Sequence, residues 1–301
     1  MTGRRQHYAH FYGLLPFPDD DRPLLVVHGN CQAESLRVLL DGDASPVRTV
    51  RLPPVHELTA EDLPHLGRLL ARVDVLVAQP VRDGYRDLPL GTGEVLARAA
   101  RRPRAVVVPI VRWAALHPFQ VIVRSPGAGE PPVVPYHDLR TLTLAAGRPA
   151  LPAVPSPGAV RAVRDLSVRE LLGRQDRHGA LPVVDLLEDA GAGAAHTVNH
   201  PGNSVLAGLA RRVLTAAGLP GAVADHGRTL LDSVHTPVLP EVLAALGLDA
   251  PPAEHEDWVV HGRRVPDDDV RRAHLRWYAD HPGVAEAGLA RHAEAAEALA
   301  A

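Results

Sequence analysis

The sequence predicts an α/β fold, a parallel sheet flanked by helices, with a mostly helical C-terminal part. Short apolar runs rich in β-branched residues stand at 24–27, 73–78 and 105–111, each near-continuous rather than alternating, as strands buried on both faces are. Between them lie segments with apolar residues at helical spacing. Each run is followed by a polar cluster, and in open parallel sheets the ligand site lies beyond the carboxyl ends of the strands.

Residues 1–22 carry aromatics but little periodicity, and Asp19-Asp20-Asp21 reads as a solvated turn. The first strand, Leu24 to Val27, is bounded by Pro23 and Gly29. Asn30 then caps a helix whose apolar positions are Leu36, Leu39 and Leu40, stopped by Asp41-Gly42. Val47 to Leu52 reads as a further strand. Thr59 opens a helix, with Asp62 as a short capping box and Leu63, Leu66, Leu69, Leu70 and Val73 as its apolar face. The strand at 73–78 leads into a polar loop over 79–92, a helix is expected over 93–102, and the next strand follows at 105–111. From 120 to 157 the chain is rich in Pro and Gly, with one strand expected at 121–124. Helices are expected over 160–172, 183–189, from Val205 to a stop at Gly218, and over 240–246, 267–279 and 284–300. The chain, 1–301, is expected to form one α/β domain with a helical subregion from about 251. Its amphipathic C-terminal helices offer a packing surface or the face of a homodimer.

Apolar residues make up 46% and charged residues 22% of the 301, an ordinary globular composition. All 32 basic residues are arginine, which with abundant Ala, Val, Pro and Gly reads as codon bias. A formal charge of −3 argues against nucleic-acid or anionic-membrane partners. The single cysteine fits a reducing, cytoplasmic compartment, and no apolar run approaches membrane-spanning length.

That cysteine, Cys31, falls on the first turn of the first helix, where unpaired backbone N–H groups and the helix dipole favour a thiolate. Its neighbours Gly29, Asn30 and Gln32 suit close backbone approach and amide donors around an oxyanion. Without those neighbours a lone cysteine is usually a small buried apolar residue. The second cluster is His196-Thr197-Val198-Asn199-His200-Pro201, in which His200 is a candidate base and Asn199 can orient it. The four-residue spacing of His196 and His200 lacks the Glu of a metalloprotease helix and is interrupted by Pro201, so no metal is expected. Arg82, Tyr85 and Arg86, after the second buried strand, suit a phosphate and a stacked ring, or else form a charged surface loop. His117, in Leu-His-Pro after the third, is a further candidate base or substrate contact.

Together, Gly-Asn-Cys-Gln at 29–32, Gln-Pro-x-Arg-x-x-Tyr-Arg at 79–86, Leu-His-Pro at 116–118 and Asn-His-Pro at 199–201 resemble the WcbI-type polysaccharide-biosynthesis acetyltransferases over roughly residues 24–245. A remoter likeness is to the SGNH (GDSL-type) hydrolases, with Cys31 in place of their serine and Thr197 in place of the aspartate of their late Asp-x-x-His-Pro block. These likenesses imply an SGNH-like or flavodoxin-like three-layer core, coenzyme A or acetyl-CoA as co-substrate, and a sugar or capsular polysaccharide precursor as acceptor. They imply Cys31 as nucleophile, Gln79 with Asn30 and Gln32 as oxyanion donors, and His200 as base. The acidic partner of His200 is missing from its expected place. The alternatives on the same residues are a thioesterase or carbohydrate esterase, and a non-catalytic glycan- or nucleotide-binding protein.

Overall fold

The computed structural model describes residues 3–18, 20–125, 127–224, 227–249 and 257–301. Met1, Thr2, Asp19 of the acidic run and the expected start of the C-terminal subregion at 251 lie outside them. The strands are β1 (Leu24–His28), β2 (Arg48–Thr49), β3 (Val75–Ala78), β4 (Arg104–Val107), β5 (Gln120–Val121), β6 (His137–Asp138), β7 (Ala195–Thr197), β8 (His200–Pro201), β9 (Val234–His235), β10 (Trp258–Val260) and β11 (Arg263–Val265). The helices are α1 (Gly3–His7), α2 (Ala9–Tyr12), α3 (Cys31–Leu39), α4 (Leu63–Leu70), α5 (Thr92–Arg98), α6 (Leu139–Ala145), α7 (Pro157–His178), α8 (Val184–Ala190), α9 (Asn203–Ala216), α10 (Pro240–Leu246), α11 (Asp267–Asp280), α12 (Pro282–Arg291) and α13 (Ala293–Ala300). They form two compact units. The first comprises Met1–Ile110, Leu172–Leu186 and Asn203–Leu230, and the second Val111–Leu171, Leu187–Gly202 and Leu231–Ala301.

In the first unit the four strands form an all-parallel sheet in the order β2-β1-β3-β4. Every residue of β1 and β3 is buried, which is why their sequences read as near-continuous apolar runs. Leu24, Val26 and Leu76 pack with Leu66, Leu69 and Leu70 of α4 and Val95 of α5. On the other side α3 packs against α9. His28 stands opposite Ala78 and Ala78 opposite Val107. The register therefore releases Gly29, Gln79 and Val108 from the carboxyl edge of the sheet at one level.

The second unit has small antiparallel pieces rather than a large sheet: β5 with β6, β7 with β8, and β10 between β9 and β11. Its main core joins Phe119, Leu139, Leu142, Val163, Tyr278, Val284 and Leu289. Helices α6 and α12 pack together where Gly288 lets Leu142 and Val123 come close.

The expected strands are present, shorter than expected at β2, β4 and β5, as are most expected helices, with five differences. Residues 3–12 are helical, held because Tyr12 Oη donates to Asp62 Oδ1 (2.8 Å) and Arg4 pairs with the same carboxylate (3.2 Å). Asp62 also accepts from the Thr59 N–H (3.0 Å) as the box predicts, but the turn it closes is a short 3₁₀ segment before α4. Helix α6 lies inside the segment read as irregular, capped by Asp138, and the last expected helix breaks at His292 into α12 and α13. Finally, β10 and β11 form a hairpin within the subregion expected to be mostly helical. His261 and Gly262 both have positive φ there, the two-residue loop that suits hairpin twist.

Candidate active site

Cys31 is the first residue of α3, placed there by β1 and the turn at Gly29-Asn30. The Asn30 side chain accepts from the Gln32 N–H (2.9 Å) and so caps the helix. The Asn30 N–H in turn donates to Gln79 Oε1 (2.8 Å), and Gln79 Nε2 donates to Gln32 Oε1 (3.2 Å). Gln79 itself is fixed by its N–H to His28 O (2.9 Å) and by Thr92 Oγ1 on its carbonyl (2.9 Å). A Cβ on Gly29 would stand 2.3 Å from Gln79 Oε1, so only glycine admits this brace. The structure thus brings Gly29, Asn30, Cys31, Gln32 and Gln79 together at one strand edge, with both ends of the Gln79 amide engaged in holding the turn.

Cys31 is half-buried. Burial pushes its thiol up, and the backbone N–H groups of Gln32 and of Cys31 itself offset only part of that. The helix-terminal dipole therefore does not by itself yield the thiolate expected from the sequence. His28, buried behind the turn with Nε2 on Leu90 O (2.9 Å), is held neutral by burial. Of the loop residues, Tyr85 packs against the apolar core of the first unit and Arg86 donates to the His56 carbonyl, whereas Arg82 is exposed.

His200 lies in the second unit, on β8 of a hairpin rather than in a free loop. The Tyr136 hydroxyl, to which nothing in the sequence draws attention, is the hub of its surroundings. It lies 3.3 Å from His200 Nε2 and 2.8 Å from Asn199 Oδ1, and Thr197 Oγ1 donates to it (3.0 Å). If Tyr136 donates to Asn199 while accepting from Thr197, His200 Nε2 carries the proton. The basic lone pair then falls on Nδ1, which is buried and has no hydrogen-bond partner of ordinary geometry. Burial pushes His200 down to about 4, with His235 adding to the shift and the Leu231 backbone opposing it. Thr197, which resembled a lost aspartate, is a fully buried member of this network.

His117 and His196 are likewise pushed down to about 4, first by burial and then by neighbouring imidazoles. His117 Nε2 faces Ala195 O (3.3 Å), while His196 packs on His235 at 4.2 Å between ring centroids. Gln120 ties these strands together: its Oε1 accepts from the Val198 N–H (2.6 Å) and its Nε2 donates to Thr236 Oγ1 (2.6 Å). Among the described residues no group of three or more His, Cys, Asp or Glu side chains is arranged to hold a metal ion. Nor is any helix there long and apolar enough to cross a membrane.

The family model for the polysaccharide biosynthesis enzyme WcbI matches residues 24–222. The chain belongs to the WcbI family. Its fold is also that of a solved WcbI structure, with a TM-score of 0.74 at 19% sequence identity, over 93% of this chain and 98% of that one. That WcbI is described as a novel polysaccharide biosynthesis enzyme, in its native form without a disulfide bond between coenzyme A and a cysteine. No curated protein matches the chain. The match of this WcbI family member begins at β1 and includes the Cys31 turn, the 79–92 loop and the His200 hairpin.

Proposed function

We propose that the chain is an acyl-CoA-dependent O-acetyltransferase acting on a sugar or capsular polysaccharide precursor, with all 301 residues working as one enzyme. The observation that carries this is the half-buried lone cysteine at a helix N-terminus on the carboxyl edge of a parallel sheet, in a family whose solved WcbI is described in terms of coenzyme A and a cysteine. Cys31 Sγ, once deprotonated, attacks the thioester carbonyl. The N–H of Cys31, which has no intrahelical acceptor, stabilises the oxyanion. The C–S bond to coenzyme A breaks, leaving the acyl group on Cys31. A sugar hydroxyl then attacks that carbonyl, His200 takes its proton, and Sγ leaves. His200 is neutral at pH 7 and has a lone pair to take the proton, and burial makes that lone pair less basic than an ordinary imidazole's. Asn30, Gln32, Gln79 and Gly29 hold the nucleophile, and Asn199 with Thr197 and Tyr136 holds the base. Arg82, Tyr85 and Arg86 contact the cofactor in this reading.

Mass spectrometry after mixing the protein with acetyl-CoA tests the covalent step: an acetyl adduct is expected on Cys31 and none on Cys31→Ser. An unmodified Cys31, together with full transfer activity in Cys31→Ser, overturns it. Release of free acetate at one rate with and without acceptor would make the enzyme a hydrolase instead.

A further inference from the structure

The second unit contains a cavity of about 280 Å³ walled by the 116–120 segment, β6, α6 and α11. Its size is at the lower end for small-molecule sites, enough for one sugar residue rather than a whole coenzyme A. Its lining sets two arginines, Arg140 and Arg271, against two aspartates, Asp138 and Asp267. Arg140 pairs with Asp138 at 2.6 Å, lies 4.0 Å from Asp267 and covers the Phe119 ring at 4.4 Å. Asp267 also accepts from Trp258 Nε1 (2.8 Å). Such a site does not offer the clustered free cations that phosphate groups call for. Instead it offers aromatic walls, with Tyr136 stacked on Trp258 at an interplanar angle of 21°. One buried polar atom there is underused: Nδ1 of His117, whose side chain lines the cavity and is only 4% exposed, has no hydrogen-bond partner of ordinary geometry, although the Pro237 backbone lies close enough to oppose the fall in the ring's pKa. A buried orphan nitrogen in an otherwise satisfied wall requires an explanation, and a ligand hydroxyl supplies one.

We infer that this cavity binds the acceptor as an uncharged pyranoside, its C–H face on the aromatic wall and a hydroxyl on His117 Nδ1. Aromatic rings provide that apolar face at small entropic cost, and the neutral imidazole orients the ring. Tyr136 belongs both to the wall and to the network of His200, so a ring seated here lies next to the proposed base. The acceptor role rests on the acyltransferase reading, whereas the binding does not.

The test is saturation-transfer NMR on the full chain without coenzyme A, using a panel of methyl hexopyranosides and methyl N-acetylhexosaminides as probes. Ala150, an exposed loop residue lining the cavity, is replaced in Ala150→Trp to fill it without touching the core, and His117→Ala removes the orphan nitrogen. Transfer to at least one glycoside, with affinity lowered tenfold or more in both variants, is expected. No transfer to any member of the panel, or transfer unchanged by Ala150→Trp, overturns the inference. Loss of coenzyme A binding in Ala150→Trp with glycoside binding intact also overturns it, and leaves the acyltransferase reading standing. Cavity-dependent glycoside binding in a protein that transfers no acyl group supports it, and removes the acyltransferase reading instead.

Discussion

The brace between Gly29 and Gln79 makes the cysteine turn intolerant of a single methyl group. In Gly29→Ala the new Cβ must displace Gln79 Oε1, and with it the bonds to the Asn30 N–H and to Gln32. The expected loss is about 1–3 kcal/mol. Gln79→Ala removes the obstacle, so the double variant should lose less than the sum of the two, as chemical denaturation of all three proteins would reveal; strict additivity would mean that the clash does not matter. The raised pKa of Cys31 has its own signature. Its thiolate fraction at neutral pH lies below that of a free cysteine, so alkylation by iodoacetamide should be slow near pH 7 and accelerate only above the ordinary thiol range. A rate midpoint below that range would contradict the burial argument. At the other cluster, Tyr136→Phe leaves His200 without its hydroxyl neighbour. A fall in kcat of up to about a hundredfold with little change in thermal midpoint is expected for a misplaced base, and an unchanged kcat would reduce Tyr136 to a packing residue. Cys31, Gln79 and Asn199 were legible because each follows a recognisable strand or motif. Tyr136 was not, since its place beside His200 comes from a contact between residues 64 apart in the chain.

Helix α3 shows how an element can be read before it is seen. Its cap, apolar spacing and strand partner are all local, and the Asn30 cap is where the sequence puts it. Asn30→Ala should cost about 1 kcal/mol, while Asn30→Asp keeps an acceptor for the Gln32 N–H and should lose little; equal losses in a thermal melt would deny the cap its role. Elements without local periodicity escaped. Helices α1 and α2 owe their order to Asp62, about fifty residues away in sequence. Helix α6 hides among prolines and glycines. The β10–β11 hairpin did carry a signal, the pair His261-Gly262 between short apolar and basic stretches, but the stretches are too short and too weakly alternating to outweigh a helical reading.

For the whole molecule the distribution of buried imidazoles is the informative property. His117, His137, His196 and His200, all in the second unit, are each held down to about 4, chiefly by burial. A histidine of depressed pKa takes up its proton on unfolding. Its stabilising contribution is therefore fully present above about pH 6.5, the ordinary histidine value, and is lost as the pH falls towards 4. Denaturation midpoints should be level from pH 7 upward as far as these groups are concerned, and should drop steadily between pH 6.5 and 4.5. Trp113, Trp258 and Trp277 all belong to the same unit, so tryptophan emission should follow that loss. Equal midpoints at pH 7 and pH 5 would contradict the assignment of these rings as buried and neutral. The sheet class was legible at this scale from alternation alone; the division into two units was not, because each is assembled from segments far apart in the chain.

That division also sets an order of events during synthesis. The polypeptide passes between the units five times, and the first unit is incomplete until Asn203–Leu230 has been made. The nascent chain must therefore hold β1, β3 and the cysteine turn in waiting while the whole of the second unit's first two segments emerges. Neither unit corresponds to a contiguous stretch of gene that could be duplicated, lost or exchanged alone. Descent in this family should accordingly proceed by substitutions and loop insertions within an indivisible chain.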